Sequence, residues 1–391
     1  MTDAVIVSAC RTAIGTARRG TLVDVSAFDL AKYAVTEALR RSDVSAGDVD
    51  DLVLGEVLQG GGDIARYAAL ESGLTHVPGV AHNRHCASGM AAVHTAAGSI
   101  RAGMDRVVIA GGAESISSAP SSFKRVMGSD ESKPWMSPSH PDAPDAPAFD
   151  MSITVGWNSA QRAGVTREEM DFWACTSHER ALAAIAEGRL EPEIFPIDVT
   201  RRDGTSTTFA VDEHPRETSM EKLALLPPLH PEIDGFPITA GNSSGLNDGA
   251  AAMVLVSDDY AAAHGLRPLA VVKSWASAGL EPRDTGLGPT KAIPKALDRA
   301  GLSVADIDLF EINEAFASMC VASARMLGIA HEITNVNGSG CSLGHPVAAT
   351  GSRMIVTLIH ELARRGGGHG VVSMCAGGGM GSATVLEVLP G

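Results

Sequence analysis

The chain has 391 residues, 45% of them hydrophobic and 20% charged, and carries a formal net charge of −15. That composition describes a globular protein of two or three domains rather than a disordered chain, and the acidic balance argues against a nucleic-acid partner, whose phosphates call for a basic face. No apolar run approaches the roughly 18 residues of a membrane helix, and the N-terminus lacks a basic leader with a following apolar stretch, so no membrane partner and a cytoplasmic location are expected.

The N-terminal MTDAVIVSACRTAIG enters a strand-like run within three residues. Residues 34–57 then read AVTEALRRSDVSAGDVDDLVLGEV, an amphipathic helix, a Ser-x-x-Asp turn and an apolar strand. Next, NRHCASGMAAVHTAAGSIRAG leads into RVVIAGGAES: a tight turn, a helix, a glycine break and a buried strand. Residues 118–246 differ. They begin with a Pro-, Ser- and Asp-rich stretch of little periodicity, which reads as a surface excursion. They continue with TREEMDFWACTSHERALAAIAEGRL, a helix opened by a capping box of Thr166 and Glu169, and close with ITAGNSSGLNDGAAAMVLVS, a turn back into apolar structure.

The first pattern then recurs. Residues 292–315, AIPKALDRAGLSVADIDLFEINEA, align without gaps on 34–57, and Ala34, Leu39, Arg41, Asp48 and Glu56 return as Ala292, Leu297, Arg299, Asp306 and Glu314. NGSGCSLGHPVAATGSRMIVTLIHELARRGG followed by GVVSMCAGGGMG repeats the turn, helix and strand. Strand and helix therefore alternate in two related α/β units with helices on both sheet faces. The halves fall at 1–117 with 247–268, and at 269–391, with 118–246 as an inserted loop domain.

The six cysteines form no CxxC pair, and no histidine cluster has zinc spacing, so a metal is not expected and free thiols are. Cys86 lies on the first unit's turn, directly before a helix, where peptide dipoles and free N–H groups lower a thiol pKa. On the equivalent second turn stands His345, before Pro346, a residue suited to the first helical position. A nucleophilic cysteine needs a base within reach. Cys375 ends the second unit's last strand, before Gly377, and Asn313 ends the strand after the second repeat. Alone, each residue reads as ordinary structure; His82 and His85, beside Cys86, are read that way. Together, Cys86, His345, Asn313 and Cys375 fall at matching ends of a duplicated fold, where ligands bind in open α/β sheets.

The chain resembles the thiolases, the acyl-CoA acetyltransferase family. NRHCASGMAA is similar to the family's nucleophile motif, and ITAGNSSGLNDGAAA, INEAFA, GHPVAATGSR and CAGGGMGSA match further family blocks in order along essentially the whole chain. The resemblance implies a layered α-β-α-β-α fold of two halves with mixed five-stranded sheets, the loop domain covering a coenzyme A (CoA) site. It implies that Cys86 becomes S-acylated, that His345 accepts its proton, and that His345 and a water held by Asn313 form an oxyanion hole. By the same resemblance Cys375 is the acid/base thiol, and the N–H groups of Cys86 and Gly377 form a second oxyanion hole. Met151, Ser244, Ala315 and Phe316 look like pocket residues for the pantetheine and acyl end. Arg216 resembles a phosphate-contacting arginine in placement, and Lys124, Arg125, Arg201 and Arg202 are the other basic candidates for an anionic substrate.

Two stretches depart from the family pattern. Many members carry His-Met-Gly where this chain has Asp150-Met151-Ser152, and NGGAIALGHP where it has NGSGCSLGHP. The implied reaction is thiolytic cleavage of a 3-ketoacyl-CoA, with synthesis of acetoacetyl-CoA as the alternative and a non-catalytic acyl-CoA-binding protein as a remote one. CoA would be a co-substrate, with no permanently bound cofactor, and the chain would form a homodimer or homotetramer.

Overall fold

The structure, a computed structural model, describes residues 2–200 and 204–391; Arg201 and Arg202 lie outside these. The first half is built from β1 (Ala4–Arg11), the short β2 (Gly15–Thr16), α1 (Ala27–Ser42), β3 (Asp51–Gly55), α2 (Ile64–Glu71), β4 (Val80–His82), α3 (Ser88–Arg101) and β5 (Val107–Ser115). The hairpin of β6 (Ser122–Arg125) and β7 (Ser132–Trp135) follows, then a π-helical turn, Ser152–Trp157, running into α4 (Asn158–Ala163). After these come α5 (Arg167–Ala186), the hairpin of β8 (Ile197–Thr200) and β9 (Ser206–Phe209), and α6 (Met220–Ala224). The chain returns through β10 (Asn247–Ser257) and α7 (Asp258–His264). It then builds the second half from β11 (Ala270–Gly279), α8 (Gly288–Ala300), β12 (Leu309–Ile312), α9 (Ala317–Leu327), α10 (Thr350–Arg365), β13 (Gly368–Ala376) and β14 (Met380–Val388).

The main sheet runs β12-β13-β14-β11-β1-β10-β5-β3-β4, with β2 on β10. Its halves share one plan: β3 lies parallel to β5 and β12 parallel to β13, while β10 and β14 pair antiparallel with the strands beside them. Within the sheet, among the described residues, they join through two residue pairs, Val5–Val271 and Ile6–Ala270. In the second half the counterpart of β4 shrinks to a single parallel bridge, Phe310–Thr334. The cause is Asn335, whose backbone turns to φ 50° and whose side-chain amide accepts from Ile312 N and donates to Ile312 O, both at 2.8 Å, in place of a strand.

Alternation along each buried strand sends side chains into different cores. On β5, Val107, Ile109 and Ala113 face α1 and α2, whereas Val108 and Ala110 face α3 and α10. On β13, Val372 and Met374 join that central core, while Val371 and Cys375 face α8 and α9. Five layers result, α-β-α-β-α, with α3 and α10 in the middle. Helix α3 is buried almost all round, with Met90, Ala92, Val93, Ala96, Ala97 and Ile100 in that core, as expected of a helix covered by both halves of the sheet. The capping box read at Thr166 and Glu169 is present at the start of α5.

Candidate active site

The turn before α3 is held by its own atoms. Ser88 Oγ accepts from Arg84 N at 2.8 Å and donates to His85 O at 2.6 Å, and Ala87 N donates to Arg84 O at 3.1 Å. The turn forces His85 to φ 47°, a region β-carbon-bearing residues seldom occupy. Cys86 is left partly exposed, just ahead of the helix.

Its thiol is not depressed as a helix N-terminus alone suggests. Burial pushes Cys86 up to about 11, against the N–H groups of Gly377 and of Cys86 itself, which point at the sulfur and pull it down. Desolvation outweighs the dipole. Cys375, 2% exposed, is likewise driven far above the ordinary thiol range by burial, with the nearby Cys86 adding to the rise. Its sulfur lies 3.5 Å from Met319 Sδ. The two thiols and the Gly377 N–H therefore converge on one point, although Cys375 is not on the last strand: β14 follows it after a three-glycine hairpin. His85 also reaches this point, since a Cβ on Gly377 would lie 3.5 Å from its ring; read as structural from sequence, it borders the cleft.

The second turn is held differently. Pro346 is not the first residue of α10, which begins at Thr350; residues 346–349 form a separate turn, with Ala349 N and Thr350 N both donating to Pro346 O. His345 N donates to Asn247 Oδ1 at 3.0 Å, and His345 Nδ1 lies 2.6 Å from Thr350 Oγ1. Its Nε2 is buried with no hydrogen-bond partner among the described residues. Burial lowers the His345 pKa to about 3, with Arg353 adding to the effect, so the ring is neutral at neutral pH and burial works against its protonation in the free enzyme. The two turns meet: a Cβ on Gly89, three residues after Cys86, would sit 2.7 Å from Ala348 O and 2.8 Å from Ser352 Oγ.

Asn313 follows β12 directly and is fully buried, and both its Oδ1 and Nδ2 are without partners among the described residues. The neighbouring Glu314 is fully engaged, accepting from Trp173 Nε1, Asn335 Nδ2, Ser177 Oγ and Cys341 N. That network stiffens the INEAF segment around an amide left free. Such support from distant segments carries no local sequence signal.

Four of the five expected pocket residues cluster. Ser244 N donates to Ala315 O at 3.0 Å, Ser243 bridges Phe316, and Phe316 and Met151 both pack on the core under α8 and α9. Arg216 is exposed; its backbone N–H donates to His178 Nδ1 at 3.3 Å and its guanidinium lies 3.5 Å from His214 Nε2. Lys124 and Arg125 lie on the exposed β6–β7 hairpin. Among the described residues no group of three or more His, Cys, Asp or Glu could hold a metal ion, and no helix is long and apolar enough to cross a membrane.

Comparison with known proteins gives one answer. The family model for the thiolase N-terminal domain matches residues 4–259, and that for the thiolase C-terminal domain matches 266–388. An acetyl-CoA acetyltransferase of Pseudomonas aeruginosa is 42% identical over 99% of both chains. A 3-ketoacyl-CoA thiolase of Bacillus subtilis is 41% identical over 99% of this chain and 100% of its own. The crystal structure of the Bacillus anthracis acetyl-CoA acetyltransferase superposes with a TM-score of 0.93 at 40% identity, covering 100% of this chain and 99% of that one.

Proposed function

The chain belongs to the thiolase family and is an acyltransferase, and from that premise we propose that it cleaves 3-ketoacyl-CoA substrates longer than four carbons, with CoA as co-substrate. The observation that carries the reading is the convergence of the Cys86 thiol, the Cys375 thiol and the Gly377 N–H beside the turn of His345.

In the first half-reaction the neutral His345 Nε2 takes the proton of Cys86, and the sulfur attacks the C3 carbonyl. The oxyanion is held by His345 and by a water carried on the Asn313 amide, whose Oδ1 and Nδ2 have no partner among the described residues. The C2–C3 bond then breaks, leaving an acyl group on Cys86 and an acetyl-CoA enolate, which Cys375 protonates. A thiol held far above its usual pKa stays protonated until such a strong base appears. In the second half-reaction the Cys375 thiolate takes the proton of incoming CoA, whose sulfur attacks the acyl-Cys86 thioester; the C–S bond to Cys86 breaks, the shortened acyl-CoA leaves, and the Cys86 thiolate takes back the proton held on His345. The N–H groups of Cys86 and Gly377 serve the thioester oxyanion; removing one such donor typically costs about 3–4 kcal/mol of transition-state stabilisation. Turnover is ping-pong.

The preference for degradation rests on Asp150, which stands where many family members carry histidine. It ion-pairs with His230 at 2.8 Å and accepts from Ser152 N and Oγ, so it braces the π-helical turn behind Met151. The biosynthetic reading is favoured by relatives of equal identity named acetyl-CoA acetyltransferase. Thiolysis rates over a ladder of 3-ketoacyl-CoAs from four carbons upward decide: a rate that peaks beyond four carbons is expected, and acetoacetyl-CoA outpacing every longer substrate removes the degradative reading. Residues 118–246 are taken as the cover of the CoA site, and the assembly as a cytoplasmic homodimer or homotetramer.

A further inference from the structure

We propose that the buried Glu114 carboxylate is a positioning residue for acyl transfer: it clamps the turn that carries His345 against the half that carries Cys86. The inference rests on the catalytic reading above, and it adds a residue whose work is done through His345 rather than on the substrate.

Glu114 is the penultimate residue of β5 and fully buried. Its Oε1 accepts from Gln59 Nε2 at 2.5 Å and from Leu58 N at 3.2 Å, both in the segment after β3. Its Oε2 accepts from Ala348 N at 3.1 Å, on the second half's turn three residues beyond His345. One carboxylate thus spans the two halves at the site. The side chains of Asn247, on the His345 N–H, and of Thr350, on the ring, also hold the turn, and neither reaches Ala348. Among the described residues no cation is hydrogen-bonded to Glu114, and its three donors are neutral amides. A buried charge held only by neutral donors is costly, and a neutral side chain would clamp more cheaply.

The charge has consequences at this place. Glu114 is close enough to Cys86 to oppose its ionisation, which favours holding the thiol protonated until His345 removes the proton. The titratable groups facing Glu114 are Glu56, after β3, which disfavours its charge, and Cys86; the 344–349 turn contributes only His345. Burial first, then Glu56, raises the Glu114 pKa to about 7 against its three hydrogen bonds. On protonation the carboxyl becomes a donor facing three donors, at least one bond is lost, and the Ala348 anchor is the link between halves that it can release.

The test is the pH dependence of kcat for the wild type, Glu114→Gln and Gln59→Leu, with trapping of the acyl-enzyme by mass spectrometry. The wild type is expected to lose kcat on the acid side through an ionisation near 7. Glu114→Gln should lower kcat at pH 8 by about tenfold or more, as small misplacements of catalytic groups do, leave KM for CoA within about twofold, and abolish that acid limb. Gln59→Leu removes a donor to the carboxylate and should move the limb to higher pH; it serves alone if Glu114→Gln does not fold. An unmoved limb in Gln59→Leu, an acid limb kept in Glu114→Gln, or a KM rise with kcat unchanged overturns the clamp. Failure to find acyl-Cys86 in the wild type instead overturns the catalytic reading, whatever the variants show.

Discussion

The turns at Cys86 and His345 occupy equivalent places in the two halves, yet among the described residues only the second has backbone N–H groups tied to distant segments. The Cys86 turn is closed locally, by bonds among Arg84, His85, Ala87 and Ser88, and its helix starts two residues after the thiol. The His345 turn also closes on its own Pro346 carbonyl but is anchored from afar as well, by Asn247 and by Glu114 on Ala348, and its helix starts five residues after the imidazole. Duplication supplied two matching positions; the side chains around each one then separated a partly exposed nucleophile from a buried base. The local turn carries strain at His85. The distant anchors make the other turn depend on both halves being folded together.

Replacing each turn's reactive group is the harshest test of that division. Cys86→Ala should abolish thiolysis, by about 10⁴-fold or more. His345→Ala should cost about 10²–10⁴ while acylation of Cys86 remains detectable in single turnovers. Equal losses with no acyl-enzyme in either variant would mean that the two turns form one inseparable unit. Steady-state and quenched-flow assays distinguish these outcomes.

The thiol itself gives the next largest effect. With Cys86 raised to about 11 by burial, its alkylation by iodoacetamide in the free enzyme should climb about tenfold per pH unit between 7 and 10, since the thiolate is the reactive form. Peptide mapping should find Cys86 modified before the fully buried Cys10, Cys320, Cys341 and Cys375. A rate already level below pH 8 would instead show that the N–H groups of Gly377 and Cys86 prevail over desolvation.

What could be read from sequence follows the same division. The Cys86 turn, the capping box at Thr166 and the repeated helix–turn–strand units are written in consecutive residues, and the structure has them where they were read. Pro346 misled because a proline at the first helical position and a proline in a turn ahead of a helix look alike in a string; the carbonyl of Pro346 closing its own turn separates them. At Cys86 the helix dipole is visible in sequence and points to a depressed thiol, whereas the desolvation that raises it is visible only in the fold. Glu114, Asn247, Thr350 and Met319 carried no signal, because each acts across a contact that only the fold creates. The β6–β7 and β8–β9 hairpins were also missed, being short and largely solvated.

The distant anchoring predicts a stability cost where the local turn has none. Gly344 holds φ 105°, and a Cβ there would collide with the Asn247 amide that accepts the His345 N–H. Gly344→Ala should therefore destabilise by about 1–3 kcal/mol from backbone strain alone, and by more if the Asn247 bond is lost. Chemical denaturation measures this, and a loss below about 0.5 kcal/mol would mean that the turn relaxes without cost.

The mildest contrast lies on the outer helices. The repeat places Glu37 of α1 opposite Lys295 of α8, and Arg41 opposite Arg299. In α8 both cations bind strand carbonyls directly, Lys295 to Ser277 O and Arg299 to Trp275 O. In α1, Glu37 takes the lysine's place and orients Arg40 and Arg41, both through 2.7 Å contacts, with Arg41 reaching on to Pro192 O. Hydrogen bonds from Arg40 and then Arg41 hold the Glu37 carboxyl down at about 2, against partial burial. A carboxylate depressed on folding contributes stability above its unfolded pKa of about 4.3 and loses it as pH falls through the folded value. Because Arg40 is solvated and Arg41 only partly buried, the contribution is discounted to about 1 kcal/mol. Glu37→Gln should then cost about that much in urea unfolding at pH 7 and progressively less on acidification from pH 5 toward pH 2. A cost that persists undiminished at pH 2 would mean that Glu37 acts through packing rather than charge.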